Sequence, residues 1–246
     1  MRYAIVLLLF FLGFAVAYAP ASLLRRYTND VPGLDIVDPA GTLWSGSGTI
    51  LTNGRPLGTA NWRVRPLSLL KFHLTYDARL FNSEGSELEV TLDTGLERLN
   101  LNVTGSIDTV TLNRVLQNWQ LSIAGELSVQ HVKSSWRNRE LDSLDGELDW
   151  AGGQVTFNDP NGTGQATLPA LTAALSDDGE GGISALLVTA DGQTPLVQGR
   201  LQRKGQLSIN ITKLMTRLVG TPWRGDEPDH AIVISLEETV FRPPDR

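Results

Sequence analysis

Polar and apolar positions alternate along much of the chain. Phe72, Leu74, Tyr76, Ala78 and Leu80 interleave with His73, Thr75, Asp77 and Arg79, and a period of two predicts a strand with one face buried. Leu88, Val90 and Leu92 alternate with Glu87, Glu89 and Thr91, and Leu99, Leu101 and Val103 with Arg98, Asn100 and Asn102. Leu121, Ile123, Gly125, Leu127 and Val129 are expected on one strand face, as are Leu207, Ile209 and Ile211, and then Ile232, Ile234 and Leu236. Asn53-Gly54, Ser83-Glu84-Gly85, Gly152-Gly153, Asp159-Pro160-Asn161-Gly162 and the run Asp177 to Gly182 carry turn residues, so most connections should be hairpins between antiparallel strands with one wet face.

Two stretches break the period. Leu112, Val115, Leu116 and Trp119 fall at helical spacing behind Asp108, a good N-cap residue. Leu214, Met215 and Leu218 follow Thr212 and stop at Gly220, with Pro222 just beyond, the order of residues that ends a helix. Both are expected as lids on a sheet end. Gly105, Gly125 and Gly146 recur at about twenty-residue intervals, enough for two strands and a turn; chance in a chain with 24 glycines explains them equally. The fold expected is mainly β: a curved antiparallel meander, as a sandwich or an open trough, with one or two short helices.

Before the strands comes a different pattern. Tyr3 to Ala19 is an uncharged apolar run that Ala21, Leu23 and Leu24 extend to Arg25 and Arg26, roughly the twenty residues of a transmembrane helix. A cleaved signal peptide is the competing reading, with Arg2 as a basic start and Ala17-Tyr18-Ala19 as a small-x-small site. Pro20 would follow that cut and fit a peptidase poorly, because it lacks an N–H and fixes φ. Residues 1–26 are therefore expected to be a retained anchor and 27–246 a periplasmic all-β domain. The arginines after the span vote for the opposite orientation, but long domains translocate largely regardless of charge, and the arginines can snorkel to headgroups.

Composition narrows the chemistry. The 246 residues are 41% hydrophobic and 20% charged, with net charge −6, which allows a packed core and argues against nucleic acid as a partner. Cysteine is absent, so disulfides, thiolate catalysis and cysteine-ligated metals are excluded. Trp44-Ser45-Gly46-Ser47-Gly48 lacks the glycine two places before either serine that a nucleophile elbow uses, and has no lysine for a phosphate loop. His73, His131 and His230 are too scattered to share a metal. A calcium loop starting at Asp177 would place Val188 where a glutamate is required. Asp142 with Asp145, or Glu147 with Asp149, could be imagined as an acid and a base, but Glu147 and Asp149 read as wet strand positions opposite Gly146 and Trp150, or the reverse if the register slips. No catalytic residue, cofactor or metal is expected, and the chain is not read as an enzyme. Arg63 and Arg65 project from the face opposite Ala60, Trp62 and Val64, with Lys71 nearby. This basic strip is either a solvated face or a surface for headgroups or an acidic partner.

Gly41-Thr42-Leu43-Trp44-Ser45-Gly46-Ser47-Gly48, followed by Trp62-Arg63-Val64-Arg65-Pro66-Leu67-Ser68-Leu69-Leu70, resembles the type II secretion system protein N (general secretion pathway protein N) family. Leu144-Asp145-Gly146-Glu147-Leu148-Asp149-Trp150 and Leu218-Val219-Gly220-Thr221-Pro222 are similar to it too. The resemblance implies an accessory inner-membrane component of the apparatus that exports folded exoproteins. Its partners would be other subunits of that apparatus, and inner-membrane lipids through the N-terminal helix. Exposed sheet edges would be places to accept a partner strand. The alternative is a lipid-binding or lipid-carrier protein, since a curved sheet behind an anchor is also similar to AsmA-like proteins, whose apolar groove shields acyl chains.

Overall fold

The computed structural model describes residues 14, 17–25, 34–71, 73–95, 97–117, 120–138, 140–159, 162–192, 194–203 and 205–239. The chain divides into two units, Met1–Thr91 and Leu92–Arg246.

In the first unit, β1 (Leu34–Gly41), β2 (Ser45–Thr52), β3 (Arg55–Val64), β4 (Leu74–Phe81) and β5 (Glu87–Thr94, which crosses the unit boundary) lie in that order. Each of β1 to β4 is antiparallel to its neighbour. Thr52 pairs with Arg55 across Asn53-Gly54, whose φ values of 51° and 75° are both positive. Such a two-residue turn has the twist a hairpin needs, and asparagine and glycine tolerate it best. β1 is an end strand of the order, and its ladder is interrupted by a bulge between Val37 and Ala40 that contains Asp38 and Pro39.

Pro66 ends β3 and opens a 3-10 turn, Pro66–Lys71, because it has no N–H to give the ladder. The Ser68 hydroxyl donates to the Arg65 carbonyl (2.6 Å) and accepts from the Thr75 amide (3.1 Å), tying that turn to the next strand. The strand expected from Phe72 therefore begins at Leu74; Phe72 itself lies outside the described residues.

Trp62, Val64 and Ile36 are the buried apolar side chains on β3 and β1, at 7%, 6% and 8% exposure. The indole lies against the backbone of β2: a Cβ placed on Gly46 would stand 2.7 Å from Trp62 Cζ2, and one on Gly48 2.9 Å from Ile36 Cγ2. Indole Nε1 donates to the Thr42 carbonyl at 3.2 Å. Glycine at these two places is thus a packing requirement.

The expected membrane helix falls mostly outside the described residues, and no helix among the described residues is long and apolar enough to cross a membrane. Its proposed extension to Leu24 does not hold. Pro20 bridges Thr42, the Leu43 amide donates to the Ala19 carbonyl (2.8 Å), and a 3-10 turn, Ala21–Leu23, buries Ala21 to 1% exposure. Pro20 is extended, with φ −71° and ψ 148°, as suits a residue with no N–H to continue a helix. Arg25 Nε lies 3.6 Å from Asp35.

The main sheet of the second unit is antiparallel. It runs β6 (Arg98–Ile107), β8 (Leu127–Arg137), β9 (Glu140–Trp150), β12 (Leu171–Asp177), β13 (Ile183–Thr189), β14 (Pro195–Leu201), β15 (Gln206–Thr212) and β16 (Ile232–Thr239). A second, small sheet has the order β11 (Gly162–Leu168), β10 (Gly153–Asp159), β7 (Leu121–Ile123). The expected antiparallel meander forms, with an excursion: at Gly152-Gly153 the chain leaves the main sheet instead of turning within it.

Register builds one apolar face across the main sheet. Ala173 sits between Leu148 and Leu187, and Leu175 between Gly146 and Ala185. Val197, Gly199 and Leu201 then meet Ile211, Ile209 and Leu207, and Ile209 and Ile211 meet Leu236 and Ile234. At one end the small sheet and the helices close this face. Trp150, Val155, Leu168, Leu171 and the fully buried Leu196 form the core, with Leu121, Ile123, Phe157, Leu214, Met215 and Leu218 packed against it.

Both helices form, as α1 (Thr109–Leu116) and α2 (Lys213–Leu218). Asp108 caps α1, accepting from the amides of Val110 (2.7 Å) and Thr111 (3.1 Å); Trp119 lies outside the described residues. α2 ends as its residues predict: Thr221 and Gly220 donate to the carbonyls of Thr216 and Arg217, with Gly220 at φ 80°. Thr212, expected as its cap, makes no side-chain cap bond. Its buried hydroxyl donates instead to the carbonyls of Pro195 (3.0 Å) and Leu196 (3.1 Å), pinning β15 to β14.

The single strand face expected from Leu121 to Val129 is two strands, β7 and β8. Between them, Trp150 Nε1 donates to the Ala124 carbonyl (2.8 Å) and Thr109 Oγ1 to that of Gly125 (2.9 Å), so these acceptors serve side chains and the ladder stops. The three recurring glycines are not equivalent either. Gly105 follows a bulge in β6, Gly125 links two sheets, and Gly146 lies inside β9.

Candidate interaction surface

On the face of the first unit opposite Trp62, register assembles a polar block. Ser47 lies across from Asn61 and Asn61 from Arg79; Ser45 lies across from Arg63 and Arg63 from Asp77. Together with Arg65, Glu89 and Thr91 these residues line an open cleft of about 960 Å3.

Most of the charge in the cleft is paired. Arg65 Nε and Nη2 donate to Asp77 Oδ2 (2.6 Å) and Oδ1 (2.7 Å), a two-pronged bond that fixes both side chains. Thr91 Oγ1 adds a bond to Asp77 Oδ1 at 3.3 Å. The Arg65 guanidinium holds the Asp77 carboxyl below the usual carboxylate range, against the upward push of partial burial. Arg79 Nη2 donates to Glu89 (2.8 Å), and its Nε lies 3.2 Å from Glu87.

Arg63 stands apart. It is exposed, and among the described residues its side chain has no hydrogen bond or ion pair; nor do those of Ser45, Ser47 and Asn61 beside it. The basic strip read from the sequence thus separates into Arg65, spent on Asp77, and Arg63, still available. The partners in this block were visible in the sequence only as wet strand positions. Nothing local says that Arg65 meets Asp77, twelve residues on, because that depends on the length of the Pro66–Lys71 turn.

The other candidates are dispersed. His73 is exposed before β4, His131 Nε2 lies 2.9 Å from Asp145, and His230 is exposed in the turn before β16. No group of three metal-ligating side chains occurs among the described residues. Asp142 faces Arg137 (3.4 Å), and Asp149 accepts from Gln130 (3.0 Å) and Thr172 (2.7 Å). Glu147 is exposed and Asp149 half-buried opposite buried Gly146 and Trp150, the side expected for them, and Asp145 is exposed on the same side.

In the Asp177 to Gly182 turn the carboxylates are used internally. Asp177 accepts from the Gly179 amide, and Asp178 from the amides of Glu180 (2.9 Å) and Gly182 (2.7 Å) and from Arg200 Nε (3.1 Å). Burial pushes the Asp178 carboxyl up, but the two amides and the guanidinium outweigh it and hold the group below the usual range. A second open cleft, lined by Leu99, Trp136, Arg98 and Glu97, lies in the other unit.

The family model for type II secretion system (T2SS), protein N, matches residues 32–226. No curated protein and no solved structure matches the chain.

Proposed function

Since the chain belongs to the type II secretion system protein N family, and so takes part in type II secretion, we propose that it is an inner-membrane accessory and scaffold component of that apparatus. The match over residues 32–226 carries this reading. Tyr3 to Ala19 is the single-pass anchor, and the β units stand on the periplasmic side, where tethering raises their effective concentration near membrane partners. The chain performs no covalent chemistry. It supports export of folded exoproteins by holding other subunits.

Deleting the gene and following one exoprotein tests this. Accumulation in the periplasm with loss from the medium, restored by the intact chain but not by a chain starting after Ala19, is the expected result. Normal secretion without the gene sinks the proposal.

A lipid-carrier reading has one observation in its favour. Away from the core, the apolar face of the second unit continues through Leu99, Leu175, Leu201, Leu207 and Leu236, of which Leu99 is 36% and Leu236 53% exposed. Phospholipid found by mass spectrometry on the purified chain, and lost when Leu201 and Leu207 are changed to serine, would favour it; a lipid-free chain favours the scaffold.

A further inference from the structure

In the stretch from Trp62 to Ser68 the inward and turn-forming side chains have structural tasks. Trp62 packs on β2, Val64 is buried, Arg65 holds Asp77, Pro66 opens the turn and Ser68 closes it. Arg63 has none. It lines an open cleft, and the donors beside it, the hydroxyls of Ser45 and Ser47 and the amide of Asn61, are also without partners among the described residues.

We propose that Arg63, with Ser45, Ser47 and Asn61, is a docking site for an extended acidic segment of a partner protein, with one partner carboxylate on the Arg63 guanidinium. A planar guanidinium presents a fork of N–H donors that matches a carboxylate. Asp77 and Glu89, the acids that line the cleft, are already bonded to Arg65 and Arg79, so neither neutralises Arg63. With those acids paired, Arg63 is the cation lining the cleft that has no partner among the described residues, and a carboxylate of the segment balances it. The hydroxyls and the amide suit main-chain N–H and C=O groups of a peptide lying along the strands. The cleft is open, so a chain can enter sideways.

The inference rests on the scaffold reading only for whose segment it is, a neighbouring subunit of the apparatus. The site itself is tested with the full chain in detergent and a fluorescent peptide alternating glutamate and alanine, read by anisotropy at low salt. Saturable binding is expected, about tenfold weaker in Arg63→Gln, intermediate in Arg63→Lys, and abolished by a carboxylate placed in the cleft with Asn61→Asp. Arg98→Gln, an exposed arginine outside the cleft, should bind like the unchanged chain. Arg63→Gln removes no side-chain bond seen among the described residues, so its melting temperature should stay put and separate lost docking from lost folding. Equal binding by Arg63→Gln, no binding at all, or Arg63-dependent binding of phosphatidylglycerol vesicles that the peptide does not displace overturns the proposal. If the peptide binds as expected while a strain lacking the gene secretes normally, the docking site stands and the scaffold role falls.

Discussion

Gly46 and Asp178 show how much depends on single positions that look unremarkable in a glycine-rich, acidic chain. A methyl group on Gly46 meets the Trp62 ring, and neither strand backbone nor indole can retreat without disturbing the other. Gly46→Ala should therefore cost about 1–3 kcal/mol of overpacking, read as a lower urea midpoint. Asp178 is a different case. Its side chain is 3% exposed, and it organises the turn between β12 and β13 as an anion. Because its folded carboxyl titrates below the unfolded one, its contribution is fully present above the unfolded value near pH ~4 and fades as pH falls through the depressed folded value. Asp178→Asn should lower the melting temperature at pH 7 by about 2–6 °C, and the gap from the unchanged chain should close as pH falls through the depressed folded value, where both carry a neutral group. A gap that persists unchanged in acid would show that the charge is not what Asp178 supplies. From sequence this turn is legible as a turn whose aspartates can accept from their own amides, but the bond from Arg200, twenty-two residues on, is not.

At the scale of elements, strand faces follow from the two-residue period because burial on one side is a local property. Arg63, Arg65, Glu147 and Asp149 all lie on the side their alternation implies. What alternation lacks is a stop signal. Leu121 to Val129 reads as one strand, yet the acceptors at Ala124 and Gly125 go to Trp150 and Thr109, which no window of nine residues contains. Helix ends fared according to the locality of their bonds. The Asp108 cap and the Gly220 stop use atoms within a few residues, so their residue types suffice; the Thr212 hydroxyl had a nonlocal alternative on β14 and took it. Asp108→Ala should accordingly destabilise by about 1 kcal/mol through α1. Thr212→Val, which keeps the shape but removes the donor, should cost about 1–3 kcal/mol by leaving two buried carbonyls short of a donor. Should urea unfolding rank Asp108→Ala as the more damaging of the two, Thr212 would be only a helix starter after all.

Across the whole molecule, the proposed function divides the labour between an apolar run that holds position and amphipathic sheets that present surface. Pro20 bridges Thr42 at the end of the run, so in the proposed topology the anchor would have to end before it. The proposed topology predicts that the chain stays in the pellet after alkaline extraction of membranes, keeps its N-terminal segment by intact mass, and is cut by protease added to spheroplasts. A soluble product beginning at Pro20 would instead mark the run as a removed signal.

The ends of the strand orders bear on how such a chain behaves in a crowd. β1 closes its order with a bulge at Asp38 and Pro39, while β16 closes the other with Glu237 on the wet face and Glu238 on the apolar one, across from Leu207. A broken ladder and a charge turned toward the greasy side both discourage another copy from zipping on. Copies of the chain brought close together are thereby kept from growing into fibres with each other.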